Sequence, residues 1–100
     1  MASLTTLYWR DIPAQVIAKA GRTTAKRELP LRFTEAIDMA AMRSGAAGTD
    51  DYLSAWRRGE PQPCGDDLEG EVAAAAARLE AEYDQDRLKI LIANKGFAAP

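Results

Sequence analysis

The chain has 100 residues, a single-domain length that can fold around its own core without staples. Its 28% of charged residues excludes wholesale disorder, and its apolar content, rich in alanine but poor in large side chains, predicts a thin core. The net charge of −2 hides a split, with residues 1–34 carrying six cations against two acids and residues 61–100 carrying four against eight.

Leu4-Thr5-Thr6-Leu7-Tyr8-Trp9 is β-branched and aromatic, and predicts a strand. Ile12-Pro13 predicts the turn that follows, because proline lacks an N–H and biases its predecessor away from helix. Gln15 to Lys19 predicts a second strand, with Gln15 and Lys19 on one face and Val16 and Ala18 on the other. Ala20-Gly21-Arg22 marks a turn, and Thr23 to Leu29 a third, polar strand whose lysine guards an edge.

The period changes at Pro30. Phe33, Ile37, Ala40 and Ala41 share one helical face, and Gly45 ends that helix. Thr49-Asp50-Asp51 predicts the start of a short helix through Arg58, capped by Thr49, closed by Gly59 and buried through Leu53 and Trp56. Glu60 to Gly65 reads as an irregular connector. Asp66 with Glu69 resembles a capping box before a helix containing Ala73 to Ala77. Its stripe is Leu68, Val72, Ala75, Ala76, Leu79 and Tyr83. The apolar positions then shift to Leu88, Leu91 and Ile92, which predicts a kink or a further helix. Asn94-Lys95-Gly96 ends it, and residues 96–100 are expected to fray. No internal repeat occurs. The expectation is an α+β domain: a small antiparallel sheet of two to three strands in residues 1–29, packed against three to four helices in residues 30–95.

The chemistry is defined as much by absence. With no histidine, Ser-His-Asp and Cys-His catalysis are excluded and the commonest metal ligand is missing. One cysteine, Cys64, permits neither an internal disulfide nor a tetrahedral zinc site from one chain. No phosphate-cradling glycine loop is present. The pairs Asp50-Asp51 and Asp66-Asp67 read as helix caps before they read as cation ligands. Cys64 reads as an inert thiol, since neighbouring acids oppose its ionisation. No catalytic, cofactor-binding or metal-binding residue is therefore assigned, and no cofactor is expected. An enzyme would have to rest on Asp, Glu, Lys, Tyr or Cys64. No apolar run reaches membrane-spanning length and no secretory leader is seen at the N-terminus, so a cytoplasmic protein without membrane contact is expected.

What remains is a surface. Tyr8, Trp9, Arg10 and Asp11 lie close to Arg22, Lys26 and Arg27 in sequence, and Trp56, Arg57 and Arg58 form a second cluster. Tryptophan and arginine are the residues that anchor protein interfaces. Aromatics interleaved with cations also suit single-stranded nucleic acid, although the acidic overall balance opposes this. The opposite charges of the two halves can neutralise each other within the fold, steer a partner or support association of copies.

Tyr8-Trp9-Arg10-Asp11-Ile12-Pro13-Ala14-Gln15-Val16, Ala25-Lys26-Arg27-Glu28-Leu29, Arg32-Phe33 with Ala36 to Ala40, and Tyr52 to Arg58 together resemble a small bacterial "virulence factor" domain family, from about Leu4 to Tyr83. The resemblance implies short stand-alone proteins, and domains of larger virulence factor proteins, with no catalytic residues to carry over. It also implies an accessory role beside folate- and corrinoid-linked one-carbon metabolism. The resulting expectation is a non-enzymatic interaction module that binds a protein partner through the basic and aromatic surface. The one-carbon accessory subunit and the nucleic-acid binder stand as alternatives, and a homo-oligomer is compatible with all three.

Overall fold

The computed structural model describes residues 2–46, 48 and 50–98. In chain order these form β1 (Ala2–Trp9), β2 (Ile12–Ala20), β3 (Thr23–Glu28), α1 (Leu31–Ser44), α2 (Asp50–Ser54), β4 (Trp56–Arg58), β5 (Gln62–Cys64), α3 (Leu68–Glu82) and α4 (Gln85–Ala93). The class is α+β, with five strands and four helices where the sequence predicts two or three and three or four.

The sheet is antiparallel, in the order β3-β2-β1-β4, with β5 also paired to β1. Both additional strands correct the sequence reading. Trp56-Arg57-Arg58 is not the end of a helix. That helix stops at Ser54, and after Ala55 the three residues Trp56 to Arg58 pair with Leu7 to Trp9. Gln62-Pro63-Cys64 is not irregular but pairs with Ala2 to Leu4. Between them Gly59 donates its N–H to the Thr6 carbonyl at 2.8 Å, so it bridges two strands rather than closing a helix. The pull is the free edge of β1, whose N–H and C=O groups need partners once β2 has taken the other edge. Thr49 lies outside the described residues, and Leu53 is 67% exposed rather than buried.

The β1–β2 turn falls at Arg10-Asp11, not at Ile12-Pro13. Arg10 takes a left-handed φ of 54°. Pro13 is buried inside β2. The strand tolerates it because the pairing skips Ala14, a bulge, and because β3 reaches only as far as Gln15.

One face of the sheet is covered. Val16, Ala18 and Ala25 point under α3, which packs across β2 and β3 and only grazes β1. Alanines 75 and 76 are buried there, short side chains that let a helix lie close to a sheet. Asp67, not Asp66, caps this helix by accepting from the Gly70 N–H. Asp84 caps α4 through the Arg87 N–H at 2.9 Å, so the chain makes a separate helix rather than a kink. α1 packs against α4 and touches β2, and Gly45 ends it at φ 77°. Trp9, Ile12, Phe33, Ile37, Val16 and Val72 are fully buried. Each such side chain contributes about 1.5–3 kcal/mol of burial energy.

The opposite face is covered at its hairpin end, where Trp9 and Ile12 are buried, and open beyond it. Gln15 and Ile17 are half-buried there, while Lys19, Thr24, Lys26 and Glu28 are exposed. Among the described residues no helix is long and apolar enough to cross a membrane.

Candidate functional site

The Tyr8–Asp11 segment is a joint before it is a surface. Trp9 is 0% exposed, and its indole Nε1 donates to the Tyr52 carbonyl at 2.9 Å. Its ring lies 5.8 Å from that of Tyr52, which meets Trp56 edge-on at 6.1 Å. The Arg10 guanidinium sits 4.7 Å from the ring centroids of both Trp9 and Phe97 and donates to the Lys95 carbonyl. Asp11 accepts from Arg57 Nη2 at 3.0 Å and from the Ala98 N–H at 2.7 Å, and its own N–H donates to the Gly96 carbonyl. Arg57 Nε donates to the Arg10 carbonyl at 2.9 Å, and its guanidinium lies 4.6 Å over the Tyr8 ring.

Residues 97 and 98, in the tail expected to fray, contact Arg10 and Asp11, while residues 99 and 100 lie outside the described ones. Trp56–Arg58 is not remote from Tyr8–Asp11, because β4 lies beside the hairpin end of β1. Among the described residues one ion pair forms, Arg57 with Asp11. The opposite charges of the two halves therefore do not neutralise through direct pairs. Arg57 and Asp11 are 51% and 34% exposed, so this pair contributes under about 1 kcal/mol.

Strand register sorts the ten surface residues of the sequence reading. Trp9 is core. Tyr8 and Arg57 lie on the helix side, and Arg27 opposes buried Val16 on that same side. Arg22 sits in the β2–β3 turn at the far end of the sheet. Lys26 opposes Ile17, and Arg58 opposes Leu7, on the open face. The ten residues are thus distributed over the hairpin joint, both faces and one turn, and do not make one patch.

The open face gathers others. Leu7, Ile17 and Trp56 are half-buried apolar side chains, and Lys19, Lys26 and Arg58 stand exposed around them with Glu28. A shallow depression of about 340 Å³ at its α1 end is lined by Leu7, Ala14, Gln15, Glu28, Thr34 and Trp56. Ile17 falls by alternation with Gln15 and Lys19, but no sequence signal sets Leu7 on the same side. Only the pairing shows that the two share the partly open side.

No group of three metal-ligating side chains forms among the described residues. Cys64 is half-buried, and desolvation followed by the charges of Glu71 and Asp66 pushes its thiol pKa up. Burial likewise pushes Tyr83 up, against the opposing effect of Arg87, which stacks 4.2 Å from its ring.

The geometry defines a small α+β domain with α3 across one sheet face and a partly open, cation-bearing face on the other. A family model described as "Virulence factor" matches residues 7–92, and the chain belongs to that family. The match takes in every element from the end of β1 to α4. No curated protein and no solved structure matches the chain.

Proposed function

We propose that this domain is a non-enzymatic interaction module whose open sheet face docks an acidic protein surface. The observation that carries the reading is the company Leu7, Ile17 and Trp56 keep. Three half-buried apolar side chains lie on the partly open sheet face, Trp56 beside the Tyr52 ring, with Lys19, Lys26 and Arg58 around them and one acid, Glu28, nearby. An apolar centre with a charged rim is how protein interfaces are built. The cations are complementary to an acidic partner and would supply orientation and association rate more than affinity. Trp56 supplies the aromatic anchor. A nucleic-acid platform is less well supported, because it stacks bases on several exposed aromatics and this face offers one.

The test is capture from a native lysate at low salt, with and without nuclease, using the wild-type protein and a Lys26→Glu/Arg58→Glu variant. The reading expects an acidic protein that survives nuclease and is lost from the variant, with both proteins equally folded by circular dichroism. Retention by the variant refutes the face. Material that disappears with nuclease replaces the protein partner with nucleic acid.

A further inference from the structure

The helix side of β1 holds a second feature, independent of the open face. Because α3 packs over β2 and β3, it leaves a cleft of about 310 Å³ between itself and β1. That is at the small end of the range for small-molecule pockets, about 300–1,000 Å³. Leu4, Thr6 and Tyr8 form one wall at the two-residue spacing of a strand. Ala75, Arg78, Leu79 and Glu82 form the other, one flank of α3 at spacings of three, four and seven. The β4–β5 connection closes the side with Gly59, Glu60 and Gln62.

Two local features keep the cleft shaped. The Tyr8 ring is fixed from one direction by the Arg57 guanidinium at 4.6 Å. Gly59 leaves room beside it, since a Cβ there would stand 3.1 Å from Tyr8 Cε1. Leu4, Ala75, Leu79 and the Tyr8 ring supply the apolar part of its lining, beside polar Thr6 and Gln62. The rim carries one guanidinium, Arg78, and two carboxylates, Glu60 and Glu82. All three are exposed where they line the cleft, and among the described residues none makes an ion pair.

We infer that this cleft binds a small zwitterion of the free amino-acid type. Its carboxylate would meet Arg78, its ammonium would meet Glu60 or Glu82, and a short apolar side chain would lie on Leu4, Leu79 and Tyr8. An anion alone meets two carboxylates, and an amine alone leaves Arg78 unused, so the charge set selects a molecule carrying both signs. Ligand bonds to ionised groups are the stronger class of hydrogen bond, which makes the selection measurable.

The experiment is a titration of the isotopically labelled protein followed by amide chemical shifts. The probes are L-leucine, isoamylamine and 4-methylvalerate, which share an apolar body and differ in charge. The inference expects leucine to saturate shifts at Leu4, Thr6, Tyr8, Gly59 and Leu79 below about 10 mM. The amine and the acid should each bind about ten-fold or more weakly. Arg78→Gln should weaken leucine by a similar factor and leave isoamylamine unchanged. Absence of saturable shifts, shifts centred on other residues, or equal binding of all three probes overturns it. The probe series decides the matter even where a variant folds poorly. It leaves Lys26 and Arg58 untouched, so it stands or falls apart from the partner-docking face.

Discussion

The hairpin end of the sheet and its open face are built from the same residue types and use them in opposite ways. At the hairpin end, Trp9, Arg10 and Arg57 are all engaged by rings, carbonyls or Asp11. On the open face, Lys19, Lys26 and Arg58 have no ion pair among the described residues, and Trp56 keeps part of its surface in water. A Trp-Arg pair in a sequence therefore says little about binding until strand pairing is known. Arg57 and Arg58 are neighbours, yet one is bonded to the hairpin and the other lies on the opposite face.

This contrast predicts a ranked set of effects. Trp9→Ala should be the most damaging change, costing about 3–5 kcal/mol as a large cavity opens in a thin core. Against a total stability of about 5–15 kcal/mol, much of the protein should unfold, visible as a collapsed urea midpoint. A cost under about 1 kcal/mol would mean that the hairpin end is not the keystone. Gly96→Ala comes next. Gly96 sits at φ 95°, and a Cβ would stand 2.8 Å from the buried Trp9 ring and 3.2 Å from the Arg10 side chain. A loss of about 1–3 kcal/mol is expected from strain at that position. Asp11→Ala should cost about 1 kcal/mol, because the ion pair is half-exposed and water can replace part of what the carboxylate does. Its sharper signature is faster amide exchange at Ala98.

On the open face, Lys26→Glu with Arg58→Glu should change stability by no more than about 0.5 kcal/mol in either direction while abolishing partner binding. A large loss of stability in that double variant would erase the distinction between the two regions. The smallest effect concerns Cys64. Its raised pKa leaves less thiolate near neutrality, so alkylation should be slow. Glu71→Gln removes one of the charges that raise the pKa, so it should speed alkylation at about pH 8. The difference should fade at higher pH, where both thiols ionise. Unchanged rates would show that burial alone sets the thiol's reactivity.

Helices α1, α3 and α4 were legible because their apolar positions repeat at helical spacing and their ends carry Gly45, an acidic cap and Asn94. The first three strands were legible through β-branched content and alternation. β4 and β5 were not, since three residues carry no periodicity, and both exist only because β1 offers an edge. Asp50 and Asp51 were read correctly as a helix start, but nothing local announced the stop after Ser54. The site was legible only in part. Lys26 and Arg58 read as surface cations and Trp56 as either a buried contact or a surface anchor, whereas Ile17 is set opposite Lys26 only by the register.

The clasp on Asp11 and Arg10 also bears on the order of assembly. β1 and β2 are close in the chain and can pair early. The bonds that fasten their turn come from residues 85 and 87 positions further on, Lys95 to Arg10 and Ala98 to Asp11. On a ribosome the hairpin would emerge first and wait unlatched, its indole unsheltered, until almost the whole domain had been synthesised. Such distant closures slow folding. During translation, then, a side chain that ends fully buried waits for its cover, and a chaperone would find Trp9 before the tail does.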